Sequence, residues 1–281
     1  MNEKTSSFIP LSAAKAAFIR DLLRHKKARD TERAFVMEGV KPITELLRTR
    51  EPSLQAVVMT PTWLDKNTTE GRRILERSRV PVYVCRDSVF EKLSDLSTAP
   101  GLLAVVRQPE WDQEGVLTRS RVFGLYGESL QDPANVGAII RTALAFGLDA
   151  LWLSSDSADI FNPKVVRATA GALLRLPVFA IPDTLVFDRY QCSVLAAVLP
   201  GTRSRALQEI AHIPPRAVIA LGNESRGLSP VTIKQAAMRF HIPIGQDVES
   251  LNVAASAAIA TFYFSAVARR DEDGTRSATG E

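Results

Sequence analysis

Apolar positions along the chain fall into two rhythms. Over residues 13–28, Ala17, Phe18, Leu22 and Leu23 recur at helical spacing, and residues 40–48 read as a second helix behind the apolar run FVMEG. Short β-rich runs follow, AVVM (56–59), VYV (82–84) and LLAVV (102–106), with helical stretches over 64–78 and 88–96 between them. These alternating elements predict a compact α/β/α domain over residues 1–107. Residues 108–121 are polar and aperiodic, which predicts a linker. From residue 122 the rhythm becomes cleaner. VFGLYG, DALWLS, VLAAV, AVIAL and HIPI are continuous apolar runs separated by helical stretches, as in a parallel sheet covered on both faces. A second α/β domain is therefore expected over 122–270, followed by a polar, fraying tail over 271–281. Open parallel sheets bind ligands beyond the carboxyl ends of their strands, so the loops after these runs are where chemistry belongs.

Composition narrows the class. With 281 residues and 46% hydrophobic content the chain can bury a sizeable core. No apolar run approaches the roughly 18 residues of a membrane span. The N-terminus MNEKTSSFIP lacks the basic-then-apolar layout of a signal peptide, so a cytoplasmic protein is expected. Cys85 and Cys192 stand far apart with no CxxC and no neighbouring His, which argues against a disulfide framework and against a zinc site and leaves two buried thiols. No metal is expected. The net charge of +4 is modest, but it is clustered: between Lys15 and Arg33 seven Lys/Arg face three acids, an excess equal to that of the whole chain. Such a cluster is a solvated helical face or, because its signs do not alternate, a surface for a polyanion.

Three loops carry candidate chemistry. In GESLQDPANVGAIIRTALAFG (127–147), Asp132 followed by Pro133 is a strong helix start. Asn135 lies in the first turn, and Arg141 shares a face with Gly137, Ala138 and Ala145, bare enough for a phosphate, a ligand or another chain to approach. An ordinary solvated arginine is the plain alternative. In AVIALGNESRGLSP (217–230), a strand ends at Leu221, Gly222 permits a close backbone approach, and Glu224 is a carboxylate placed to accept a proton or to stabilise its loop. In HIPIGQDVESLNVAASAAIA (241–260), Pro243 ends strand pairing, Ile242 and Ile244 can wall an apolar ring, and Ser250 and Asn252 stand where a helix begins, where both residue types also serve as caps.

Together and in this order, the three loops resemble the signature motifs of the SpoU (TrmH) family of RNA ribose 2′-O-methyltransferases, within the SPOUT class. The motif residues are Asp132, Pro133, Asn135, Gly137 and Arg141, then Gly222 and Glu224, then Ile242, Pro243, Ser250, Leu251, Asn252 and Val253. Ser225, Ile244 and Ala254 depart from the commonest forms of those motifs. The first domain, through RDTERAFVMEGVKPITELL and VFEKLSDLSTAPGLLAVV, resembles the ribosomal-protein-L30e-like substrate-binding domain that precedes the catalytic domain in many members.

The resemblance implies a fold and a reaction. The second domain would be an α/β knot, a parallel sheet whose last segment threads a deep trefoil. That path departs from the general rule that chains are unknotted. The implied cofactor is S-adenosylmethionine, held by Leu221, Gly222, Asn223, Ile242, Ile244 and Leu251. The implied catalytic residues are Asn135, Arg141, Glu224, Ser250 and Asn252. Arg141 would hold a phosphate or a developing alkoxide, since a guanidinium stays protonated at neutral pH. Lys26, Lys27, Arg29 and Arg33 are the candidates for RNA grip through phosphates. The implied partners are structured RNA, with 23S ribosomal RNA favoured over transfer RNA, and a second copy of the chain in a homodimer. A retired, non-catalytic knotted RNA-binding factor is the rival reading, disfavoured by the intact polar residues.

Overall fold

A computed structural model describes residues 8–67, 70–76, 78–94, 96, 98–201 and 203–278. The chain forms two compact units, Met1–Glu110 with Phe161–Gly171, and Trp111–Ile160 with Ala172–Glu281. In the first unit the strands are β1 (Ile9–Pro10), β2 (Ala34–Glu38), β3 (Leu54–Met59), β4 (Val82–Val84) and β5 (Leu102–Arg107). They form one sheet in the order β1-β4-β3-β5-β2, with β1, β4 and β3 parallel and β5 antiparallel to β3 and β2. Ile19, Leu22 and Leu23 of the first helix pack on Val36, Val58, Leu103 and Val105 of this sheet.

That first helix is shorter than its apolar spacing predicts. It runs Ala13–Arg24, stops at an extended His25, and a second helix, Lys26–Glu32, follows. Arg29 accounts for the break. Its guanidinium folds back to donate to the carbonyls of Leu22 (2.7 Å) and Leu23 (3.4 Å), acceptors that a helix C-terminus otherwise leaves unsatisfied. Arg29 is only 3% exposed. The expectation that it grips RNA is therefore corrected: it is a buried structural arginine. Lys26, Lys27 and Arg33 are exposed, Lys26 paired with Asp30 at 2.7 Å and Arg33 near Glu110 at 3.6 Å.

A segment from the middle of the chain also belongs to the first unit. Phe161 stacks 5.1 Å from Phe35, and Arg167, on the helix Pro163–Thr169, reaches the buried Glu38 at 2.9 Å. Burying a carboxylate is tolerated when a guanidinium meets it. Nothing in the local pattern of residues 161–171 signals this, because the partner lies 129 positions earlier.

The second unit holds β6 (Val122–Gly127), β7 (Ala150–Ser154), β8 (Val178–Ile181), β9 (Ser193–Ala197), β10 (Arg205–Ala206), β11 (Arg216–Leu221) and β12 (Met238–His241). Their order is β10-β12-β9-β11-β6-β7-β8, and every pairing is parallel. The sheet thus has the predicted parallel character, with β8 and the two-residue edge β10 added to the five predicted runs. Trp152, Phe187 and Tyr126 interlock in its core, with ring centroids 5.3 Å and 5.8 Å apart. Burying each such side chain is worth on the order of 2–3 kcal/mol.

Three local predictions differ from the structure. β12 ends at His241, ahead of Ile242-Pro243-Ile244, because proline has no N–H to donate and restricts the residue before it. The expected linker contains a helix, Gln113–Leu117, capped by Asp112, whose Val116 and Leu117 enter the core. The last helix, Val253–Ala278, carries helical backbone well into the expected tail.

Candidate active site

The first two motif loops leave the sheet side by side because β6 and β11 are neighbours, and the third follows β12, one strand beyond β11 with β9 between. Gly127, the end of β6, pairs with Leu221, the end of β11, and the next amide, that of Glu128, donates to the Leu221 carbonyl at 2.8 Å. Asp132 then caps the helix Pro133–Ala145 by accepting from the Ala134 amide at 2.8 Å. This start holds Asn135 in the first turn, buried and facing the other two loops.

Asn135 joins all three. Its Nδ2 donates to Glu224 Oε1 at 2.7 Å, and its Oδ1 accepts from Asn252 Nδ2 at 3.0 Å. Asn252 Oδ1 in turn accepts from the amides of Ala254 and Ala255, capping the last helix. One amide side chain therefore ties together segments 89 and 117 positions away in sequence. Asn135 is buried while Glu224 and Asn252 are exposed, so the two bonds are partly shielded, and together they fix the donor and acceptor ends of the Asn135 amide. Glu224 Oε2 has no hydrogen-bond partner among the described residues.

The Gly222–Ser229 loop is shaped by its own atoms. A Cβ on Gly222 would lie 2.1 Å from the Gly227 carbonyl carbon and 2.2 Å from the Leu228 nitrogen. The close approach expected of a ligand at Gly222 is thus made by the loop's own return. Gly222→Ala should open the loop, lower stability by about 1–3 kcal/mol and weaken cofactor binding; thermal melting with and without S-adenosylmethionine checks both. Asn223 also differs from expectation as a cofactor contact. Its backbone N and O pair with Gly227, its Oδ1 accepts from the Ser225 and Arg226 amides, and its Nδ2 donates to the Ser129 carbonyl at 2.8 Å. Asn223 holds the loop together. Leu221 is likewise buried, and its carbonyl already accepts from Glu128.

Comparison with known proteins fits this geometry. Residues 123–262 match the SpoU rRNA Methylase family and residues 18–104 match an MRM3-like substrate binding domain. A Synechocystis sp. protein named as an uncharacterized tRNA/rRNA methyltransferase is 30% identical over 256 residues, covering 89% of this chain and 91% of the relative. The chain belongs to the SpoU rRNA methylase family. It is similar, too, to the 23S rRNA (guanosine(2553)-2′-O)-methyltransferase RlmP of Bacillus subtilis, 28% identical over 90% of this chain and 98% of that protein. An AdoMet-bound rRNA methyltransferase structure from Sinorhizobium meliloti matches 94% of this chain and 97% of its own, with 25% identity and a TM-score of 0.75.

Within this family member, Arg141 and Ser250 stand apart from the Asn135 bridge. Arg141 is exposed on the Pro133–Ala145 helix and makes no hydrogen bond or ion pair among the described residues. Ser250 is exposed too, and Asn252 alone does the capping that the sequence allowed to either. Ile242, Ile244 and Leu251 are half-buried beyond the end of β12, an apolar wall without a complete cover. Two exposed aliphatic residues outside the sequence expectations follow the paired strands β12 and β9: Val248, 54% exposed, after β12, and Leu199, 65% exposed, just after Val198 bonds to the Phe240 carbonyl. Uncovered aliphatic side chains beside a few fixed polar groups fit an adenosine. In the sequence the signal for Leu199 is its place directly after the apolar run VLAAV. Burial raises the Cys192 thiol and pushes Cys85 up to about 11, with Asp87 adding to the latter, so neither is poised as a nucleophile.

Proposed function

We propose that this RNA ribose methyltransferase acts on a 2′-hydroxyl in 23S ribosomal RNA, with S-adenosylmethionine held at the Ile242–Leu251 wall. When bound, that cofactor supplies an electrophilic methyl group. The chain's own residues do the rest. The observation that carries the reading is the Asn135 bridge, which holds Glu224 and Asn252 together beyond the carboxyl ends of the parallel strands β6, β11 and β12. Arg141, without a hydrogen bond or ion pair among the described residues, is available to a substrate phosphate or to negative charge developing on the ribose oxygen. Glu224, with one oxygen fixed by Asn135, keeps the other for the hydroxyl proton or a water that carries it away. Ser250 and Asn252 orient the ribose. Lys26, Lys27 and Arg33 hold RNA phosphates on the first unit.

The reading includes a homodimer and a knotted second unit. On the last helix Phe262 is 60% and Ile259 40% exposed, and the Phe262 ring packs 6.0 Å from Phe146, the residue that ends the Pro133–Ala145 helix. An apolar face of this kind suits a second copy. No helix among the described residues is long and apolar enough to cross a membrane, and we place the enzyme in the cytoplasm with its ribosomal substrate. The test is to incubate purified protein and S-adenosylmethionine with unmodified 23S, 16S and transfer RNA transcripts, then locate the added mass after nuclease digestion. A 2′-O-methyl nucleotide in the 23S transcript is expected. Methyl on a base, on another RNA alone, or nowhere would overturn the reading.

A further inference from the structure

A second polar network lies behind the Asn135 bridge and involves residues that none of the three motifs supplied. It begins where β6 ends. Glu128 turns toward the exit of the Gly222–Ser229 loop, its Oε2 accepting from the Ser229 amide (2.8 Å) and its Oε1 from the hydroxyls of Ser229 (2.7 Å) and Thr232 (3.0 Å). Ser129, the next residue, has a left-handed backbone with φ of +56°. A residue with a Cβ pays roughly 1–2 kcal/mol for that conformation and keeps it only where its surroundings over-determine it.

Here they do. The Ser129 amide donates to Ser154 Oγ at 2.7 Å, its hydroxyl donates to Asp156 Oδ2 at 2.5 Å, and its carbonyl accepts from Asn223 Nδ2 at 2.8 Å. Asp156 Oδ1 accepts from the Ser154 hydroxyl at 2.5 Å, so one carboxylate grips the ends of both β6 and β7 through their serines. The Asn223 amide that reaches Ser129 also shapes, through its Oδ1, the turn on which Glu224 sits.

We propose that Ser129 and Asp156 are positioning residues for Glu224, acting through Asn223, so that the left-handed turn after β6 sets where the Glu224 carboxylate meets Asn135. The inference rests on the reading of Glu224 given under Proposed function. Two observations support it. Hydrogen bonds from Ser129 and Ser154 hold the Asp156 carboxyl below its ordinary range, which keeps it an acceptor for both at neutral pH. Glycine would adopt the Ser129 backbone without strain, yet the position carries a serine whose three polar groups are all engaged.

Ser129→Gly is the discriminating variant, because it relieves backbone strain while removing the hydroxyl; Asp156→Asn removes the shared acceptor from the other side. Each should slow single-turnover methyl transfer about ten- to a hundredfold, the scale of a small misplacement at a reacting centre. The affinities for RNA and S-adenosylmethionine should stay within about threefold, and the double variant should be little worse than the poorer single one. Hydrogen exchange of the Ser225, Arg226 and Gly227 amides should quicken at least about tenfold in both variants. Unchanged exchange overturns the proposal, and so does faster exchange with an unaltered transfer rate. If wild-type protein methylates no RNA ribose, the functional reading fails first, and the exchange measurement still decides whether Asp156 and Ser129 hold the Glu224 turn.

Discussion

Arg141→Ala is expected to lower the single-turnover rate of methyl transfer by about a thousandfold, the loss typical of removing one preorganised electrostatic group. The structure makes this a clean experiment. Arg141 is exposed and without a protein partner among the described residues, so its removal should leave stability within about 0.5 kcal/mol, as for ordinary surface substitutions. Its helix is capped by Asp132 and packed through the buried Val136, Ile139, Ile140 and Ala143, so folding does not depend on the exposed guanidinium. Affinity for S-adenosylmethionine should remain within about tenfold, since the apolar wall lies on a different segment. Arg141→Lys should recover only part of the rate: it restores the charge and loses the planar fork that matches a phosphate. Melting, calorimetry with the cofactor and a single-turnover assay together check the result. Loss of cofactor binding in Arg141→Ala would make the residue structural and end its assigned role.

The same logic explains what was legible in the sequence. The parallel sheet was, because strands buried on both faces are written as continuous apolar runs such as AVIAL, and β11 is buried along Ala217–Leu221. The helix start at Asp132-Pro133 was, because capping is local chemistry. Motif spacing also singled out Asn135, Glu224 and Asn252, although not that one asparagine would bond to both others. What escaped was long-range or subtle. Arg29 reads as one more charge in a basic cluster, and only the return of the chain at His25 buries it. Gly222 reads as room for a ligand, whereas the room is taken by Gly227 and Leu228 of the same loop. Asp156 is an ordinary acid in a polar turn until Ser154, the end of β7, and Ser129, in the turn after β6, converge on it.

Asn135→Ala should cost about a hundred- to a thousandfold in transfer rate, for a reason different from that of Arg141. No reacting atom need touch Asn135. Its removal strips Glu224 of a donor and Asn252 of an acceptor, leaving two polar side chains from distant segments without the group that registers them. Glu224 and Asn252 are exposed and can turn to water, so each lost bond costs about 0.5–1.5 kcal/mol, a measurable fall in stability where Arg141→Ala leaves it intact. Asn135→Asp separates the two bonds: it can still accept from Asn252 but sets a carboxylate against Glu224, so it should be at least as slow as alanine. The decisive measurement is a double-mutant cycle. Asn135→Ala and Glu224→Ala should be strongly non-additive, the pair no slower than about threefold below the worse single variant, because each removes the same link. Additive losses would mean that the two residues act independently, and that the bridge seen between them does not organise the chemistry.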